Sequence, residues 1–199
     1  MLSASPYNLV RLQETITLQP HQMNGQFREY MLSVLKGKVE RQVVPSGMVM
    51  KVEEITHYNR GQINKINFRG LTTYELEYNC IVCAPVKGMQ IPCIVRESIP
   101  GVVRAEFGPI SIYCEASRSD NTHFTVDDDM RVFWKKGGRV VEQGDHISVI
   151  IDTVMHAAVR SRMQALAHIV GPSTAEEMQT SEGIIQTLSS SPDADDEFV

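Results

Sequence analysis

The chain has 199 residues, with 19 Lys+Arg against 24 Asp+Glu and a formal net charge of −5. Apolar residues make up 42%, enough for one hydrophobic core or two small ones at this length. No run approaches the ~20 apolar residues that cross a bilayer, and the first residues have neither the basic patch nor the apolar stretch of a secretory signal, which argues against membrane-spanning and secreted classes.

Residues 9–19 alternate well enough for a strand, with Leu12, Ile16 and Leu18 directed to a core. Pro20 interrupts the run. Met23, Phe27, Tyr30, Met31, Val34 and Leu35 then recur at helical spacing opposite Gln26, Arg28, Glu29 and Ser33, and Gly37 is the predicted stop. Met48, Met50 and Val52 open a strand. The polar loop His57-Tyr58-Asn59-Arg60-Gly61-Gln62 separates it from a further predicted strand at 63–68. Tyr74, Leu76, Tyr78, Cys80 and Val82 give the cleanest period-two pattern in the chain. One amphipathic helix on a small antiparallel sheet predicts an α+β unit over residues 1–84.

Pro85 marks the start of a second predicted unit, 85–170. Its strands are expected at Met89–Glu97, Val102–Phe107, Ile110–Glu115, Met130–Trp134, Ile147–Val154 and Met163–Val170, punctuated by Gly- and Pro-containing turns. The polar stretch Ser117–Asp129 reads as a loop. Short strands at this spacing predict a small closed all-β barrel of the OB type. Pleating directs Val103, Ala105 and Phe107 inward on its second strand, and Ile110, Ile112 and Cys114 inward on its third.

Residues 171–199 carry seven acidic side chains and no basic one, whereas 1–84 sum to +2 and 85–170 to zero. The acidic excess therefore lies entirely in this tail. Ser173 with Glu176 is a predicted helix cap, Ile184, Ile185 and Leu188 are its main apolar group, and residues from about Ser189 are expected to be disordered. The near-neutral remainder argues against bulk-charge binding of duplex DNA but leaves room for a local nucleic-acid groove.

Signals for catalysis and metal binding are weak. Cys80 and Cys83 have zinc-knuckle spacing, yet they lie in a strand, where residues three apart face opposite ways. With Cys93 and Cys114 they read as buried, reduced thiols of an intracellular protein. Asp127-Asp128-Asp129 reads as solvated charge rather than a Mg²⁺ site. No Gly-rich loop follows a strand to seat a nucleotide cofactor, and none of the six histidines is in a motif with a Ser or Cys nucleophile. No metal, cofactor or catalytic residue is expected. For single-stranded RNA, OB barrels use exposed aromatics and cations on their second and third strands. Here those are Arg104 and Tyr113, with Arg96 and the turn residues Lys135, Lys136 and Arg139 extending the basic surface. Outward Arg and Tyr are also common on any barrel, and Lys-Lys-Gly-Gly is also simply a hairpin turn.

The segment Tyr78-Asn-Cys-Ile-Val-Cys-Ala-Pro-Val-Lys-Gly88, followed by Val103-Arg-Ala-Glu-Phe-Gly-Pro-Ile-Ser-Ile-Tyr113 and later by Val140-Val-Glu-Gln-Gly-Asp-His-Ile-Ser-Val149, resembles the stalk subunit of multisubunit DNA-dependent RNA polymerases. That family comprises the seventh-largest subunit of RNA polymerase II and its archaeal counterpart. The resemblance spans roughly residues 10–170, and its strength lies in the order and spacing of short motifs. Thr17-Leu-Gln-Pro-His21 resembles a poxviral member, which with the acidic tail implies a large-DNA-virus member. The resemblance implies a non-catalytic subunit whose N-terminal tip domain docks on the polymerase core and whose OB domain contacts nascent single-stranded RNA. The docking loop corresponds to 57–64, with His57, Tyr58, Asn59, Arg60, Gly61, Gln62 and Asn64 as contacts. Tyr113 keeps the family's third-strand aromatic, whereas Arg104 replaces its second-strand aromatic. Implied partners are the largest and the sixth-largest-type core subunits and a companion stalk subunit, with no membrane partner. The setting is the nucleus or, for a viral member, the host cytoplasm and virion. The barrel alone equally suits a free RNA-binding module of translation or RNA decay.

Overall fold

The structure, a computed structural model, describes residues 5–63, 70–119, 121–156 and 163–179. The chain divides into two compact units, one formed by Asn8–Cys83 and the other by Met1–Tyr7 together with Ala84–Val199.

The first unit is one helix with a twisted sheet. β1 (Tyr7–Leu18) leads through a single 3₁₀ turn at Pro20–Gln22 to α1 (Phe27–Val39), followed by β2 (Val43–Val44), β3 (Gly47–Tyr58), β4 (Gln62–Ile63) and β5 (Thr72–Cys83). The strand order is β1-β5-β3-β2, with β4 paired to β5. Helix α1 buries Met31, Leu35 and Val39, spaced four apart on one stripe. It therefore runs through Gly37 instead of stopping there, because Val39 continues the buried stripe one turn further. Glu29 in its first turn and Lys36 and Lys38 in its last complement the helix dipole. Met23, expected on the stripe, precedes the helix and is exposed. In β5, Tyr74, Leu76, Tyr78, Cys80 and Val82 are buried while Glu75 is exposed. At its end Ile81 and Cys83 are buried too, so both faces of the strand are covered there. Most of the predicted strand at 63–68 lies outside the described residues, as does Asn64.

The second unit is a closed five-stranded barrel formed by β6 (Gln90–Ile99), β7 (Val102–Phe107), β8 (Ile110–Glu115), β11 (His146–His156) and β12 (Met163–Pro172). Around the barrel these run first, second, third, fifth, fourth. All neighbours are antiparallel except β12 and β8, which pair in parallel from Met163 opposite Ile110 to Ala167 opposite Cys114. Alternation carries the core. Cys93, Val95, Val103, Ala105, Phe107, Ile110, Ile112, Cys114, Ile147, Val149, Ile151, Ala165 and Ile169 are all fully buried. Tyr7 adds its ring against Phe107, with centroids 6.0 Å apart.

The segment between β8 and β11 differs from the expected loop. It holds a 3₁₀ turn at Ala116–Arg118 and a two-stranded antiparallel ribbon, β9 (Phe124–Val126) and β10 (Val132–Trp134). The strand predicted at Met130–Trp134 is thus not a barrel stave. Only three of its residues are extended, too few to span a barrel wall, and they bury Val132 against the ribbon while Phe124 and Trp134 stack with centroids 4.7 Å apart.

All four cysteines are free and buried. Burial pushes the Cys80 thiol up to about 11 and those of Cys83 and Cys114 to about 12, so they are protonated packing groups at neutral pH. Among the described residues no cluster of His, Cys, Asp and Glu could hold a metal ion, and no helix is long and apolar enough to cross a membrane. After β12, Thr174 caps the short helical turn at 175–179. Its Oγ1 accepts from the Glu177 amide, and Glu177 Oε2 accepts from the Thr174 amide. The capping pair is therefore Thr174 and Glu177 instead of Ser173 and Glu176. Ile184, Ile185, Leu188 and the stretch from Ser189 lie outside the described residues.

Candidate nucleic-acid interface and docking loop

The barrel strands bring Arg104 and Tyr113 directly opposite each other across β7 and β8. Beyond Tyr113 the parallel strand β12 places Leu166 in register, and Leu166 is 43% exposed. An arginine, a half-buried tyrosine and an exposed leucine therefore form a row across three strands. Leu166 was not expected. It comes from a strand whose parallel pairing leaves no trace in local periodicity, and only its exposure at an alternating polar position signals it.

Charge on this face is largely compensated. Arg96 Nε lies 2.8 Å from Glu106 Oε2, and Arg104 Nε lies 3.3 Å from Glu97 Oε2. Such paired surface charges attract phosphate weakly.

Lys135, Lys136 and Arg139 stand apart from that row, on the turn after β10. The turn is closed by Trp134 and Arg139, whose backbone N–H and C=O pair at 2.8 Å, and Gly137 and Gly138 take its positive-φ positions. Asp145 anchors it. Its carboxylate accepts from Trp134 Nε1 at 3.0 Å, from the Glu142 amide at 3.1 Å and from Arg139 Nη2 at 2.6 Å. Burial opposes ionisation of Asp145, but these donors together outweigh it and hold the carboxyl below its ordinary value. The three cations line a cavity of about 500 Å³ together with Trp134, His123 and His146. Lys135 Nζ donates to the Asn121 carbonyl.

In the first unit, the turn between β3 and β4 is built around Asn59. Its Oδ1 accepts from the Gly61 amide at 3.1 Å and the Glu75 amide at 3.2 Å. Gly61 adopts φ +74°, and a Cβ there would lie 2.5 Å from the Tyr74 ring. His57, Arg60 and Gln62 are exposed. His57 and Asn59 border an open cleft of about 510 Å³ with Glu75 and Glu77. Tyr58 is half-buried, its ring edge-on to Phe27 at 6.0 Å, and Phe27 in turn meets Tyr74 at 5.3 Å. Tyr58 is thus a packing residue of α1 as well as a loop residue. Ile63, absent from the expected contacts, is 66% exposed. It lies in β4, opposite Thr72 of β5.

A comparison with curated proteins then bears on what these surfaces serve. The chain is 29% identical over 197 residues to a protein of Acanthamoeba polyphaga mimivirus described as a "Putative DNA-directed RNA polymerase subunit", an alignment covering 99% of this chain and 98% of the relative. The similarity runs the length of both proteins. No family model matches the chain.

Proposed function

We propose that this chain is a non-catalytic stalk subunit of a DNA-directed RNA polymerase. The helix-and-sheet unit anchors it to the core enzyme through the 57–64 loop, and the barrel, read as an OB fold, presents a surface to nascent RNA. The similarity to the mimiviral protein supports the polymerase-subunit part of this reading, because it extends over nearly all of both chains. The barrel supports it further. Its closure from five strands, with a parallel pairing between the third and the fifth, supports reading it as a small OB-type barrel. The viral source of the relative favours a virus-encoded transcription machine working in the host cytoplasm and carried in the virion. Core polymerase subunits are then the principal partners.

Affinity purification from the native source, read by mass spectrometry, tests the proposal. Recovery of the chain with the largest polymerase subunits is expected; reproducible recovery free of them rejects it and leaves the barrel as a free RNA-binding module. Within the loop, Arg60→Glu combined with Ile63→Ser should reduce incorporation into the polymerase about tenfold or more, as buried interface anchors typically do, while thermal unfolding of the isolated chain stays unchanged. Tyr58 is unsuitable for this test because its loss would disturb α1.

For RNA, Tyr113→Ala with Leu166→Ala should weaken binding of a single-stranded oligonucleotide by about 1–3 kcal/mol per unstacked base. A fluorescence-anisotropy titration at two salt concentrations checks it. Because Arg96 and Arg104 are already ion-paired, the salt slope should be shallow. A steep slope or an unaltered affinity would reject this face.

A further inference from the structure

The cavity beside the Lys135–Arg139 turn shares no residue with the Arg104–Tyr113–Leu166 row. It is concave, about 500 Å³, within the range of cavities that hold small ligands. Its charge is one-sided. Lys135, Lys136 and Arg139 face a single carboxylate, Asp145, and that carboxylate is consumed by Arg139, the Trp134 indole and a backbone amide. Among the described residues no other acid lines the wall, so the Lys136 ammonium and the Lys135 ammonium, which donates to the Asn121 carbonyl, have no carboxylate facing them there. Lys136 is exposed and has no ion-pair partner among the described residues. Aromatic and imidazole rings make up another part of the wall. Trp134 is fixed there by its bond to Asp145 and its stacking on Phe124, and His123 and His146 flank it. Of these, His146 leaves Nδ1 buried with no hydrogen-bond partner among the described residues, an unmet demand that native interiors seldom tolerate.

We propose that this cavity binds a nucleotide, its phosphate between Lys135 and Lys136 and its base against Trp134. Ammonium donors suit a phosphate as point charges, and an indole face stacks on any base. A bare anion would use the lysines and leave the aromatic wall idle. A nucleoside would do the reverse. Only a ligand with both parts uses the whole wall. The ligand is a free mononucleotide or the phosphorylated end of an RNA chain, two sources with one chemistry. No Gly-rich phosphate loop announces the site, because its donors are side chains drawn from the ribbon, the turn and the start of β11 instead of backbone amides. The inference depends on the barrel unit alone and not on assembly into a polymerase.

Trp134 is the chain's one tryptophan, so its fluorescence reports the cavity directly. Full-length protein is titrated with uridine monophosphate, uridine, inorganic phosphate, a hexaglutamate peptide, and a short oligoribonucleotide with and without a 5′-phosphate. Saturable quenching by uridine monophosphate is expected, with uridine and inorganic phosphate each at least about tenfold weaker. Lys136→Ala should weaken the nucleotide about tenfold with unchanged circular dichroism, since Lys136 is exposed. Tyr113→Ala should leave it unaltered, which separates this site from the RNA face proposed above. A 5′-phosphate that strengthens oligonucleotide binding identifies an RNA end as the source; equal binding of both oligonucleotides, weaker than the monophosphate, identifies the free nucleotide. The proposal is overturned by absence of saturable quenching, by quenching indifferent to Lys136→Ala, or by inorganic phosphate or hexaglutamate binding as tightly as the nucleotide.

Discussion

Replacing Phe107 with alanine should lower the unfolding free energy of the barrel unit by about 3–5 kcal/mol, the usual cost of emptying an aromatic site that cannot collapse. Phe107 is fully buried at the end of β7, opposite Ile110 in the register with β8, and carries the ring of Tyr7 against it. Relaxation is hindered because the adjoining turn is tight. Gly108 has φ +50°, and the Tyr7 hydroxyl stands 2.6 Å from where a Cβ would be. Chemical denaturation followed by far-ultraviolet circular dichroism checks the loss. A midpoint shifted by less than a third of that expected would mean that the barrel closes over the gap.

Gly61→Ala should be nearly as damaging, and it acts at the loop proposed to dock on the polymerase. An alanine held at φ +74° bears roughly 1–2 kcal/mol of left-handed strain. Its methyl would overlap Tyr74 ring carbons at 2.5 and 2.7 Å and the Thr72 methyl at 2.9 Å. Tyr74 is buried and braced against Phe27, so it has nowhere to retreat, and overpacking adds about 1–3 kcal/mol. The loop must therefore leave the Asn59-centred conformation. Incorporation into the polymerase should fall together with the melting temperature, whereas Arg60→Glu with Ile63→Ser should lower incorporation alone. If Gly61→Ala assembles normally, the observed loop conformation is not the docking one.

The parts of this protein that could be read from its residues are those in which one element decides its own geometry. Alternation in β5, β7 and β8 predicts their inward faces because a strand's period of two leaves no choice once one face is buried. The stripe of α1 was legible for the same reason, although its end was not. A glycine is only a weak stop, and burial of Val39 one turn later outweighs it. A closed barrel was expected, but the pairing that closes it was less accessible. It depends on β12 lying parallel to β8 across some fifty residues, and no local pattern records such a pairing. The three-residue strand β10 was misplaced because Val-Phe-Trp is equally apolar in a ribbon and in a barrel wall.

The candidate sites divide along the same line. Arg104 and Tyr113 could be found because they are adjacent on paired strands. The exposure of Leu166 and Ile63 could not be read, because the sequence of these segments does not record it. The lysine turn was visible, but the cavity beside it was not, because His123, Trp134, Asp145 and His146 converge from separate stretches of chain.

The Ala84 amide donates to the Pro6 carbonyl at 2.7 Å, so the polypeptide departs from the barrel unit and rejoins it at neighbouring points. Residues Asn8–Cys83 are in effect a long excursion whose two stems touch. A fragment that starts at the return stem discards Tyr7 and uncovers Phe107, and would be judged less stable than the barrel is in the whole protein. Joining Tyr7 to Ala84 by a few glycines would keep that cover while removing the entire excursion, and grafting a different module between the same stems should be tolerated on equal terms.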